Sequence, residues 1–228
     1  MTIQILPSLL AADYARLGDE MRRVAASGAD ALHLDIMDAH FVPNLSFGPD
    51  VVALSRREVP DLYRHVHLML SRPDRYIDRF IDAGAQTVQI HVEADCDIWA
   101  TLKAIRAKGA RAGLVLCPET PAPAAYPYLS DCDEVLFMTV HPGYGGQSFM
   151  AEVLPKIAAL RRQVGPASPL DIMVDGGINF ETGMRCAAAG ANQFVAGSFL
   201  FKQSEMGAAV ARMRDACGKA YGTELGAY

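Results

Sequence analysis

The chain is short of several things. Across its 228 residues there is one Trp and there are five Cys, and Asp and Glu (26) outnumber Lys and Arg (21), for a net charge of −5. No segment approaches the roughly 18 uninterrupted apolar residues of a membrane span. No basic run is present, and pI ≈ 5.7 argues against a nucleic-acid or anionic-membrane partner. An anionic ligand would then be held by backbone N–H groups and helix N-termini rather than by a basic patch. The opening Met-Thr-Ile-Gln-Ile-Leu-Pro lacks a basic n-region and a cleavage pattern, so no signal peptide is expected. Cys96, Cys117, Cys132, Cys186 and Cys217 are odd in number and widely spaced, without a C-x-x-C. They read as buried thiols of a reducing, cytoplasmic compartment rather than as disulfide or zinc ligands. There is no low-complexity tract or linker, which implies one domain over 1–228.

What is present is a repeat. Ser27-Gly28-Ala29-Asp30, Ala83-Gly84-Ala85-Gln86, Lys108-Gly109-Ala110-Arg111 and Ala189-Gly190-Ala191-Asn192 each end a helical stretch before a strand-like run, with Gly as the left-handed terminator. The glycines fall near multiples of about 27 residues, and the chain holds about eight such units of strand–helix alternation. That predicts a (β/α)₈ barrel, with a doubly wound open sheet as runner-up. Strands are predicted near 3–8, 31–35, 63–68, 87–91, 112–116, 134–139, 171–175 and 193–196. Helices are predicted near 14–27, 49–57, 74–83, 97–108, 121–129, 150–163, 181–189 and 205–219. Asp13 and Ser204 suit N-caps, and Pro73 a first helical position.

Ala31-Leu32-His33-Leu34-Asp35-Ile36-Met37-Asp38 starts as an apolar alternation and then becomes too charged to continue as a strand. His33 and Asp35 share one strand face. Alone, such a pair is as readily a satisfied His–Asp contact as a site. Yet His33 and Asp35, His67, Asp175 and Gly197-Ser198 all fall at the C-terminal ends of predicted strands, where these barrels build active sites. His33, Asp35, His67 and Asp175 therefore form a two-His, two-carboxylate set suited to a divalent ion. His65 lies deeper in its strand and reads as structural, and His91 near another strand end is a weaker candidate for lining the site. Asp175-Gly176-Gly177 and Gly197-Ser198 suit a phosphate site, and Gly143-Tyr144-Gly145-Gly146-Gln147-Ser148 suits a lid. Met37, Met69 and Met138 also stand at strand ends. They read first as adaptable packing, and alternatively as an apolar floor under a planar carbanionic intermediate.

Ser8 to Asp13, His33 to Asn44, Val66-His67-Leu68-Met69, Met138 to Phe149 and Val174 to Ile178 resemble, in order, the ribulose-phosphate 3-epimerase family. The likeness runs from about residue 3 to residue 201. It implies a ribulose-phosphate-binding TIM barrel that interconverts D-ribulose 5-phosphate and D-xylulose 5-phosphate in the pentose phosphate pathway. Carried over, the metal ligands are His33, Asp35, His67 and Asp175, with zinc first and Fe(II), Mn or Co also suited. Asp35 and Asp175 become the acid/base pair of a 2,3-enediolate route. Ser8 would contact the sugar, and Gly143 to Gly146, Gly176, Gly177, Gly197 and Ser198 would line the substrate and its phosphate. A homo-oligomer is also implied. Ala39 departs from the family's usual Gly, and Tyr144 from its commoner Phe. A D-allulose 6-phosphate epimerase is the nearest rival. A phosphate-binding barrel decarboxylase would carry Asp-x-Lys where this chain has Asp35-Ile36-Met37.

Overall fold

The structure is a computed structural model and describes residues 2–226. Eight parallel strands form one sheet: β1 (Gln4–Pro7), β2 (Ala31–Met37), β3 (Tyr63–Met69), β4 (Thr87–His91), β5 (Arg111–Leu116), β6 (Glu134–Met138), β7 (Asp171–Asp175) and β8 (Gln193–Ala196). From β2 to β8 each strand pairs with the next in sequence, and β1 pairs with β8. Between β1 and β2 the described residues show one isolated pairing, Ser8 with His33. The Ile5 amide donates to Asp30 Oδ2 (2.7 Å) at the other end of that seam. The result is a nearly closed (β/α)₈ barrel, as the repeat predicts.

The helices are α1 (Leu17–Ala26), α2 (Pro49–Glu58), α3 (Ile77–Ala83), α4 (Ile98–Ala107), α5 (Leu154–Val164), α6 (Phe180–Ala188), α7 (Ser198–Phe201) and α8 (Met206–Ala220). The four repeat glycines all adopt positive φ, as helix termination requires. Strand residues facing outward, such as Leu32, Leu34, Val66, Leu68, Val88 and Ile90, are fully buried under the helices. Each such side chain contributes about 1.5–3 kcal/mol of transfer free energy. The barrel interior holds a separate apolar cluster that includes Leu6, Val115, Leu136, Met138, Met173 and Val195.

Four local expectations are corrected. β2 does not stop at Asp35 but runs to Met37, because Asp35 faces the barrel mouth while Ile36 is buried in the outer core. The segment after β5 is a 3₁₀ helix, Ala122–Tyr128, with Pro127 inside it; a proline there removes a donor and clashes with the preceding turn of an α-helix. Ser204 does not cap α8, which starts one residue later with Glu205 at its N-cap and no side-chain cap. Cys96 and Cys117 are only half-buried, whereas Cys132, Cys186 and Cys217 are buried, and all five are free thiols. Asp13 does cap, but over a 3₁₀ turn (Tyr14–Arg16) that precedes α1. Pro73 likewise opens a 3₁₀ turn ahead of α3.

Candidate active site at the barrel mouth

Parallel pairing sets the site. β2 and β3 run in register with Asp35 opposite His67 and His33 opposite His65. β6 and β7 place Met138 opposite Asp175. Inward side chains two apart sit at successive levels, and the upper levels bring His33, Asp35, His67 and Asp175 together below Met37 and Met69. One ligand atom from each lies within 4.8 Å of every other.

The donor arrangement fits a cation. Asp35 Oδ2 accepts from Ser8 Oγ (2.6 Å), and Oδ1 lies 3.1 Å from His67 Nδ1. His33 Nε2 is 3.3 Å from Asp35 Oδ1 and 3.9 Å from Asp175 Oδ2, yet both His33 ring nitrogens are buried without a hydrogen-bond partner. Orphaned buried nitrogens beside two carboxylates need either a proton or a metal. Burial is the largest influence on His33 and would lower its pKa, but the charge and hydrogen bonding of Asp35, with the Asp175 and Glu134 carboxyls, together raise it. Positive charge is what this position favours. Burial would raise Asp35, but His33 and His67 hold its carboxyl well below the usual range. At Asp175, burial and then the Asp35 charge push the carboxyl up to about 7 against the pull of His33. Burial, chiefly, lowers His67 to about 4, so that ring is neutral.

Above the cluster opens a cavity of about 340 Å³, a size suited to a small molecule. The residues expected at the site line it except the buried His33 and His67, the weaker candidate His91, and Ser148 at the end of the expected lid. Met37, Met69 and Met138 form its apolar wall. The glycine loops line the same cavity. A Cβ on Gly176 (φ +121°) would sit 2.8 Å from the Val140 backbone nitrogen, and one on Gly177 (φ +63°) 2.8 Å from that of Phe149. Only glycine lets the β7–α6 loop press so closely against the β6–α5 loop. Thr139 Oγ1 locks the two by donating to Gly176 O (2.6 Å).

The Gly143–Ser148 loop reaches across the mouth. Asn44 Nδ2 donates to Gly143 O (2.7 Å) and Tyr144 Oη to Pro43 O (2.6 Å). The hydroxyl that distinguishes Tyr144 from Phe thus ties this loop to the β2–α2 loop. Ala39, in that second loop, takes the left-handed φ of +58°, the conformation a glycine there would adopt without strain.

Some lining residues escaped the sequence reading. Asn179, Lys202 and Gln203 all border the cavity, and Lys202 is the one lysine or arginine among its described lining residues. A readable signal existed, since Lys202 follows the Gly197-Ser198 turn by one helical turn in an otherwise acidic chain. His91 does not line the cavity. It packs behind His67 with Nε2–Nε2 at 2.8 Å. His65 is buried beside Glu134, consistent with a structural role.

Comparison with known proteins bears on this geometry. The model of the ribulose-phosphate 3 epimerase family matches residues 4–201. A ribulose-phosphate 3-epimerase of Bacillus subtilis is 44% identical over 214 residues, covering 93% of this chain and 98% of that protein. One from Rhodobacter capsulatus is 47% identical over 201 residues, covering 88% and 87%. Among solved structures, 3-keto-L-gulonate-6-phosphate decarboxylase from Vibrio cholerae superposes with a TM-score of 0.72 at 13% identity, covering 97% of this chain and 100% of that one. The last likeness speaks for the barrel alone. The first three, together with the motifs now placed around one cavity, settle the family: the chain belongs to the ribulose-phosphate 3-epimerases, which are isomerases.

Proposed function

We propose that the chain interconverts D-ribulose 5-phosphate and D-xylulose 5-phosphate by proton transfer at C3, with Asp35 and Asp175 as the acid/base pair. One observation carries the reading. Two carboxylates, one on β2 and one on β7, converge on a cavity that is also lined by glycine-rich backbone. Inverting a carbon beside a ketone requires removing a proton from one face and returning one to the other, and two carboxylates approaching from different strands supply both. Ser8, hydrogen-bonded to Asp35 Oδ2, orients that carboxyl and stands at the cavity wall to meet a sugar hydroxyl. Gly176, Gly177, Gly197 and Ser198, with Lys202 beside them, line the end suited to phosphate. The methionines offer the planar enediolate an apolar wall. The Gly143–Ser148 loop, tied to Pro43 and Asn44, limits water access.

His33, Asp35, His67 and Asp175 would hold one divalent ion, zinc first, and an ion there supplies Lewis-acid polarisation of the substrate oxygens. Five free thiols support a reducing, cytoplasmic setting.

The test is proton NMR of D-ribulose 5-phosphate with the zinc-reconstituted protein in D₂O. Deuterium at C3 together with xylulose 5-phosphate is the expected result. Exchange only with D-allulose 6-phosphate would move the reading to a six-carbon ester. Exchange with neither overturns it.

A further inference from the structure

We infer that Glu93 and His91 are positioning residues that fix the protons on His67, so that its Nδ1 offers a lone pair to the four-residue cluster. The inference rests on the metal reading above and deepens it.

His67 stands between two partners. Its Nδ1 lies 3.1 Å from Asp35 Oδ1 and its Nε2 lies 2.8 Å from His91 Nε2. Both rings are completely buried and inclined at 29°, with centroids 5.0 Å apart. Two neutral imidazoles meeting nitrogen to nitrogen can share one hydrogen in only two ways. If His91 donates, His67 must carry its own hydrogen on Nδ1, facing Asp35. The cluster is then a closed hydrogen-bonded pair with no place for a cation. If His67 donates, its Nδ1 is free to coordinate.

The choice is made one residue further out. His91 Nδ1 lies 3.1 Å from Glu93 Oε2, and an ionised carboxylate only accepts. His91 therefore carries its hydrogen on Nδ1, its Nε2 accepts, and His67 donates from Nε2. Glu93 is itself held. Its Oε1 accepts from the Cys117 backbone N–H (2.9 Å) and from Thr120 Oγ1. Burial would raise the Glu93 carboxyl, but these partners and His91 bring it down to about 2, so it is ionised. The chain Thr120–Glu93–His91–His67 thus orients a ligand as carboxylate–histidine pairs around metals do, with one imidazole interposed.

A competing assignment is a second cation held by His91, Glu93 and Cys117, whose ligand atoms also lie within 4.8 Å of one another. Glu93 Oε1 is already engaged by two donors, the Cys117 N–H and Thr120 Oγ1. Burial and the Glu93 charge raise the Cys117 thiol, which leaves it a thiol rather than a metal-binding thiolate. This group works better as the anchor of the chain.

Glu93→Gln tests the inference. Cys117 N–H and Thr120 hold the amide oxygen in place, so the new NH₂ faces His91 Nδ1 and reverses every hydrogen in the chain. The expected result is a fall in zinc affinity of about 10- to 100-fold, measured by chelator competition, with the variant still folded by circular dichroism. In the zinc-loaded parent protein, ¹⁵N imidazole spectra are expected to show His91 protonated on Nδ1. That readout needs no variant. Protonation on Nε2, or an unchanged zinc affinity in Glu93→Gln, overturns the inference. So does a second equivalent of zinc that disappears in Cys117→Ser. A parent protein that binds no zinc removes the metal reading but not this one's test, because the His91 tautomer in that same protein still reports the chain.

Discussion

His65 and His67 lie two residues apart on the same inward face of β3, and each stands beside a carboxylate, yet the two pairs settle into opposite electrical states. His65 is 3.4 Å from Glu134 in the sealed lower barrel. There burial, reinforced by Asp171 and opposed by Arg111, pushes Glu134 up to about 8, while burial drives His65 well below its usual value. Both rest uncharged. At the mouth, Asp35 is held ionised by the groups it faces. Residue type does not decide which histidine–carboxylate pair becomes a site. What decides is whether more than two lone pairs converge and whether a cavity touches them.

Attacking the mouth is expected to have the largest effect. Asp35→Asn and Asp175→Asn each remove a proposed proton carrier and proposed metal ligand, and each is expected to cost at least about 10³-fold in turnover; a near-parent rate in the D₂O exchange assay would break the two-carboxylate scheme. His67→Ala removes a proposed metal ligand without removing a proposed acid or base. Zinc affinity is expected to fall by about 10²-fold or more, and metal retained through dialysis against a chelator would take His67 out of the site.

The lower barrel sharpens the contrast, because there the same kind of change should help. The unfolded Glu134 carboxyl ionises near 4.5 and the folded one near 8. Between those values the unfolded chain has released a proton that the folded chain keeps, so stability falls as pH rises through this window. Glu134→Gln keeps an acceptor for Gln89 and removes the ionisation. It is expected to flatten that slope and to add on the order of 3–5 kcal/mol at pH 8 but little at pH 4, with turnover near the parent's. Urea titrations at the two pH values measure this, and parallel loss of stability in both proteins would sink it. The smallest effect belongs to the mouth's rim. Ala39→Gly relieves the left-handed φ of +58° and is expected to add about 0.5–1 kcal/mol after glycine's entropy cost. A lower Tm would show that the methyl group packs favourably.

Much of this was written in the sequence because strand alternation is a short-range rule. His33 with Asp35 on one face, and strand ends collected at one end of a barrel, follow from local patterning. Register is what local patterning omits. The role of His91 emerges only when β3 and β4 are aligned side by side, where a histidine two residues past Gln89, the residue opposite His67, swings behind it. Lys202 enters the cavity through the four-residue helix α7, too short to leave a periodic signal. The 3₁₀ segment after β5 turned on a single proline, and β2 ran past its charged residues because a barrel mouth accommodates a carboxylate that an ordinary strand interior would not.

The seam between β1 and β2 has a mechanical meaning. Its isolated pairing joins Ser8 to His33, the one tethered to Asp35 and the other a member of the cluster. The place where the cylinder is least stitched is therefore also where the site is gathered. An ion held by His33 and Asp35 on β2 together with Asp175 on β7 would act as a clasp across that seam: any free energy of binding that exists only in the closed cylinder would add to keeping it closed. Amide exchange along β1 then becomes a gauge of occupancy, slowing as the clasp fills, in a strand that contributes only Ser8 and its neighbours to the chemistry.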